Sequence, residues 1–99
     1  MRAILYATGL VLALAVPAGA QGNAQGQMLA GACMGCHGVT GQGASSVPAI
    51  HGTKTRAEFV AAMEAFRADQ RENTIMGRIT RGYTDAEIAL LAGHFGQGN

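Results

Sequence analysis

Residues 33–37 read Cys33-Met34-Gly35-Cys36-His37, and this stretch decides the fold. Two thiols one helical turn apart, followed at once by an imidazole, do three jobs in five residues. The thiols reach the two vinyl groups of a single haem and bond to them as thioethers, and His37 then lies under the iron and supplies a ring nitrogen. Three other chemistries use the same residue types. A thioredoxin-like dithiol wants C-x-x-C beside a βαβ unit, and no alternating strand pattern occurs in the chain. A disulfide between such close cysteines closes a loop too short to constrain much. A zinc site needs four ligands, and outside the motif only His51 and His94 remain to complete it. The motif predicts one covalently bound haem.

On the N-terminal side of the motif, Gln21 to Gln27 read as a loose start, with Asn23 available to cap a helix. Met28, Leu29, Ala32, Cys33 and Cys36 then recur at helical intervals, so a first helix runs into the motif. On the C-terminal side, Gly38 to Gly52 is a Gly-, Ser- and Pro-containing loop. Thr55-Arg56-Ala57-Glu58 forms a capping box, and Phe59, Ala62, Met63 and Phe66 give the helix behind it one apolar face ending near Arg67–Asp69. A polar stretch, Asp69 to Asn73, precedes a short helix marked by Ile75 and Ile79 and stopped by Gly82. Thr84-Asp85-Ala86-Glu87 is a second capping box, and Ile88, Leu91, Ala92 and Phe95 line the buried face of the last helix. The prediction is all-α, with three main helices and one short one, and no internal repeat.

Further out lies the N-terminus. Met1-Arg2, a predominantly apolar run of 14 residues from Ala3 to Val16, and Pro17-Ala18-Gly19-Ala20 read as the three regions of a secretory signal peptide cut after Ala20. The run is shorter than the ~20 apolar residues of a transmembrane helix. Removing residues 1–20 leaves 79 of the 99, a single domain over residues 21–99. The full chain carries seven Lys plus Arg and six Asp plus Glu, so losing Arg2 leaves six of each. A neutral mature chain argues against nucleic acid and against an anionic membrane surface as partners. Export predicts a periplasmic protein with no membrane insertion after the leader is removed. So small a domain, rich in Gly and Ala, buries too little apolar surface alone. The haem fills its middle, and the apoprotein is expected to be largely unfolded.

The second axial ligand is chosen among His51, His94, Met28, Met34, Met63 and Met76. Met34 lies inside the motif and cannot reach the opposite face of the haem. Met28 and Met63 fall on apolar helix faces and read as core packing. His94 sits near the C-terminus of the last helix, where an exposed imidazole meets a favourable dipole. Met76 stands 39 residues after His37 in the segment between two helices, with Gly77 beside it to relieve crowding where the backbone nears the ring. Met76 is the favoured ligand and His51, in the Gly-rich loop, the alternative. A His/Met pair leaves no open iron position, which suits electron transfer better than O₂ or peroxide chemistry and raises the potential above that of bis-His ligation.

With these residues in place, the chain resembles the class I c-type cytochromes across nearly the whole of residues 21–99. The resemblance implies covalent haem attachment at Cys33 and Cys36, axial ligation by His37 and Met76, and a Pro48 carbonyl that accepts the Nδ1–H bond of His37. A narrower likeness lies in Thr74-Ile75-Met76-Gly77-Arg78-Ile79-Thr80-Arg81-Gly82-Tyr83-Thr84-Asp85 and the following Glu87-Ile88. This segment resembles the Met-loop of the cytochrome subunit of flavocytochrome c sulfide dehydrogenases, whose haem subunit accepts electrons from an FAD-bearing partner. His51 departs from the small residue that pattern has before Gly52. The likeness implies a periplasmic electron-accepting subunit with no catalytic site of its own, partnered by an FAD-containing dehydrogenase subunit and other redox proteins. A freely diffusing monohaem carrier is the alternative, and a haem-based ligand sensor a third reading.

Overall fold

Thr84 starts the helix on which the rest of the chain is assembled. Its hydroxyl accepts from Glu87 N at 3.1 Å and its own N–H donates to Glu87 Oε1 at 2.9 Å, so two backbone donors at the helix entry are satisfied. The computed structural model describes the backbone of residues 3–14 and 18–99, and side chains within 3–14 and 24–99. In chain order the elements are α1 (Ala18–Ala30), a 3₁₀ turn (Gly31–Cys33), α2 (Met34–His37), α3 (Arg56–Arg67), α4 (Met76–Thr80) and α5 (Asp85–Phe95). The first three follow one another without a gap, giving three main helical bodies and the short α4. Among the described residues there is no strand, only isolated bridges at Ala44–Val47 and Thr55–Gln97.

Both α1 and α3 pack on α5, and α4 packs on α3. Ile88, Leu91, Ala92 and Phe95 are all buried, as the periodicity of α5 predicts, and Phe59 of α3 stacks on Phe95 with ring centroids 5.8 Å apart. Ala30 and Met63 complete the core. The second capping box also forms: Thr55 Oγ1 accepts from Glu58 N at 3.1 Å, and Thr55 N donates to Glu58 Oε2 at 3.3 Å. At the other end of α3, Gln70 N donates to Ala65 O and Asp69 N to Phe66 O, a Schellman closure with Asp69 at φ 58°. Asp tolerates that left-handed conformation better than most side chains.

Three expectations are corrected. Helix α1 begins at Ala18, so Asn23 lies inside it rather than capping it, and residues 21–27 are helical rather than loose. The buried face of α1 is also not the Met28 stripe. Met28 is 81% exposed, while Gly26 and Ala30 are buried. A Cβ built on Gly26 would lie 2.6 Å from the Leu90 carbonyl oxygen, so α1 touches the α5 backbone directly and only small residues fit there. Tertiary contact of this kind overrides the weak helix propensity of a Gly- and Gln-rich run. Third, Ile75 and Ile79 face outward, at 56% and 38% exposure, while the opposite face of α4 carries Gly77 and Thr80 to the interior.

Of the expected leader, residues 1–2 and 15–17 lie outside the described residues. Residues 3–14 form no helix or strand, and their large apolar side chains, among them Leu5 and Leu14, are exposed. No helix among the described residues is long and apolar enough to cross a membrane.

Candidate haem site

Cys33 ends the 3₁₀ turn, and Cys36 and His37 follow on the single turn of α2. The helical connection keeps the two thiols about one turn apart. Both cysteines are free; Cys33 is half-buried against the core and Cys36 is exposed. Burial pushes the Cys33 thiol above its ordinary pKa, and the neighbouring Cys36 adds to the rise. A redox-active dithiol instead needs a lowered pKa, so the electrostatics oppose the thioredoxin-like reading. Among the described residues no group of three or more His, Cys, Asp or Glu converges on a common point.

His37 is buried, and its Nδ1 stands 2.7 Å from the Pro48 carbonyl oxygen. A carbonyl only accepts, so the ring proton sits on Nδ1 and the lone pair on Nε2, the form in which an imidazole binds a metal. No hydrogen bond to Nε2 occurs among the described residues.

The loop between α2 and α3 brings Pro48 back over eleven residues to make this contact. Gly43 N donates to His37 O at 2.7 Å, and Ala44 and Val47 exchange two backbone bonds of 3.1 and 2.9 Å around a tight turn. Gly41 O accepts from both Ile50 N (2.8 Å) and His51 N (3.0 Å), and Gly52 N reaches Phe95 O at 2.9 Å, tying the loop to α5. Gly41 has φ 78°, and a Cβ there would lie 2.9 Å from the Phe95 ring, so conformation and space both require glycine.

Met76 is the first residue of α4, half-buried and packed against the same apolar cluster that Cys33 borders. It shares the inward face of α4 with Thr80, one turn on, whereas Ile75 and Ile79 occupy the outward face. A Cβ at Gly77 would lie 3.1 Å from the Phe66 carbonyl oxygen and from Asn73 Oδ1, so the glycine admits α4 against the end of α3. Met63 is 6% exposed within the core, in keeping with a packing role.

The remaining histidines sit together elsewhere. His51 is exposed, His94 is half-buried, and their ring centroids are 6.2 Å apart, with His94 edge-on to Phe95 at 4.8 Å. The departure at His51 thus places an imidazole beside α5. Sequence reasoning missed Asn73 and Thr80 around Met76; a polar residue shortly before the Met and a Thr four residues after it were the only signals.

Nothing in this arrangement conflicts with a haem: a metal-ready imidazole, two unpaired thiols beside it, and Met76 packed against the same apolar cluster as Cys33. A haem iron held by two protein ligands supplies one-electron redox chemistry. The cytochrome c family profile matches residues 23–95. The chain is 39% identical over 74 residues to the cytochrome subunit of sulfide dehydrogenase of Chlorobaculum tepidum, covering 75% of this chain and 66% of that protein. In structure it is similar to a cytochrome c4 of Acidithiobacillus ferrooxidans, with TM-score 0.69 and 28% identity, covering 75% of this chain and 48% of the other. The chain therefore spans about two thirds of the one relative and about half of the other. Motif, helical architecture and likeness coincide on residues 23–95: this chain belongs to the cytochrome c family, with the class I fold, one covalently bound haem c and a role in electron transfer.

Proposed function

We infer that this chain is an exported haem subunit that takes one electron at a time from an FAD-bearing sulfide-oxidising partner. In this reading Cys33 and Cys36 hold the haem as thioethers, and His37 and Met76 bind the iron from opposite faces. The observation that carries it is the pairing of a His37 whose Nε2 lone pair is free with a Met76 on the inward face of α4. The Pro48 carbonyl fixes the imidazole's tautomer and orientation and raises its basicity. Thioether sulfur favours Fe(II), so the site accepts electrons readily, and two protein ligands keep O₂ off the iron.

The choice of partner is supported by the relative that is 39% identical, a cytochrome subunit of sulfide dehydrogenase. Of the four arginines in residues 67–81, Arg67 is paired with Asp85 at 2.6 Å and Arg71 lies 4.7 Å over the Phe66 ring. Arg78 and Arg81 are exposed on and beside α4 and have no ion pair among the described residues. They lie next to the exposed Ile75 and Ile79, a basic and apolar strip close to Met76. Tyr83 packs against the core instead, where burial raises its hydroxyl pKa, so it is not part of that strip.

The test mixes the mature holoprotein with a candidate FAD subunit. A stable complex in gel filtration, with haem reduction on adding sulfide, is the expected result. Separate elution at micromolar concentrations, with only collisional reduction and no response to sulfide, would make the chain a freely diffusing carrier. A ferrous spectrum changed by carbon monoxide would point to a displaceable ligand and the sensor reading.

A further inference from the structure

Helix α4 has one turn and a weak start. Its N-cap position, Ile75, carries no capping side chain, and an isolated segment of five residues has no helical stability of its own. Two polar side chains hold it instead, and both act on Met76 or its immediate neighbour. Asn73 Oδ1 accepts from Gly77 N at 2.8 Å, while its Nδ2 donates to Arg71 O at 2.8 Å, so the amide is used at both ends. Thr80 is fully buried, and its hydroxyl donates to Met76 O at 2.8 Å and to Gly77 O at 3.1 Å. The peptide unit joining Met76 to Gly77 is therefore gripped from both sides, its N–H by Asn73 and its C=O by Thr80. Gly77 allows this grip, because a Cβ would lie 3.1 Å from Asn73 Oδ1 and from the Phe66 carbonyl.

We propose that Asn73 and Thr80 are positioning residues that together fix the Met76–Gly77 peptide and so hold the Met76 sulfur at the iron. The proposal rests on the reading of Met76 as axial ligand and goes beyond it. A Met side chain has three rotatable bonds, and a thioether is a weak ligand, so its hold on iron depends on where the backbone places Cα. With the grip intact, the sulfur competes effectively with an external ligand. With one side released, the peptide gains freedom, the sulfur spends more time off the iron, and external ligands enter.

Imidazole binding to the ferric holoprotein measures this directly, alongside the weak red-end ferric band of thioether ligation. Asn73→Ala and the near-isosteric Thr80→Val each release one side of the grip and are expected to raise imidazole affinity about five- to tenfold, the equivalent of one hydrogen bond of ordinary net strength. Both should weaken the band and lower the potential. Asn73→Asp keeps an oxygen acceptor for Gly77 N, and Thr80→Ser keeps the hydroxyl, so each should restore most of the wild-type affinity. Met76→Ala is the control, losing the band outright and binding imidazole tightly whichever residue stands at 73. Unchanged imidazole affinity in both Asn73→Ala and Thr80→Val, with the band lost in Met76→Ala, would overturn the proposal and leave the ligand intact. A band that survives Met76→Ala would overturn the ligand reading itself. Loss of affinity control in Asn73→Asp and Thr80→Ser to the same extent as in Asn73→Ala and Thr80→Val would show general loosening and likewise overturn it.

Discussion

His37 Nδ1 and the Pro48 carbonyl oxygen lie 2.7 Å apart, and the loop between them is folded so that they meet. The imidazole arrives on a helix and the carbonyl on a loop anchored at Gly41, Gly43 and Gly52. The orientation of the proximal ring is thus set by a segment that never touches iron in the proposed coordination, and whatever moves Gly41 should be felt at His37.

Gly41→Ala is expected to destabilise the holoprotein by about 1–3 kcal/mol from backbone strain at positive φ, with the Phe95 contact adding to the loss. By contrast, Gly93→Ala places a Cβ in open space within α5 and should gain up to ~1 kcal/mol from helix propensity. Denaturant unfolding followed at the haem band compares the two. Equal stabilities would mean that the loop relaxes at no cost.

The Thr84 backbone N–H and hydroxyl hold the Glu87 carboxyl below its ordinary pKa. A depressed carboxylate contributes stability that is present above its unfolded pKa and lost as pH falls through the lower folded value. Thr84→Ala removes the hydroxyl partner and should lower the melting temperature at neutral pH by a few degrees. The same variant should show a shallower fall in melting temperature on acidification. A parallel offset at every pH would show that the cap contributes but Glu87 does not.

Much of this was legible in residue order alone. The five-residue motif, both capping boxes and the whole buried face of α5 are local patterns, and local patterns survive folding. The buried face of α1 was not, because the contact depends on a glycine and an alanine that carry no hydrophobic signal. The partnership of Arg67 with Asp85 joins residues 18 apart that only the packing of α3 on α5 brings together. The outward turn of Ile75 and Ile79 follows from Gly77 fitting against Phe66, a backbone approach that no periodicity encodes. Around Met76, the sequence pointed to the sulfur but not to Asn73 and Thr80, whose roles are visible only as distances.

If Arg78 guides docking, Arg78→Glu should slow haem reduction by the partner several-fold, more at low salt than at high salt, and leave the haem spectrum alone. Arg67→Gln should leave the docking rate nearly unchanged, since Arg67 is already engaged with Asp85 and the Tyr83 carbonyl. Its cost to stability should be within about 1 kcal/mol, as for other exposed ion pairs. Stopped-flow reduction across a salt series separates the two variants. Identical salt slopes would remove Arg78 from the interface.

The intact mass of the secreted holoprotein should correspond to a chain beginning at Gln21 plus one haem. Cleavage there shortens α1 by three residues and spares Gly26, which abuts the Leu90 backbone of α5. A retained N-terminus at Met1 would mean a tethered protein.

The central claim, that one haem is held between His37 and Met76, is tested most directly by the ferric spectrum and potential of Met76→Ala set against Met63→Ala. The account predicts that Met76→Ala abolishes the red-end thioether band and lowers the potential, and that Met63→Ala, a core truncation, leaves both nearly intact. Loss of the band in Met63→Ala alone would move the ligand to α3, and no change in either variant would return the role to His51.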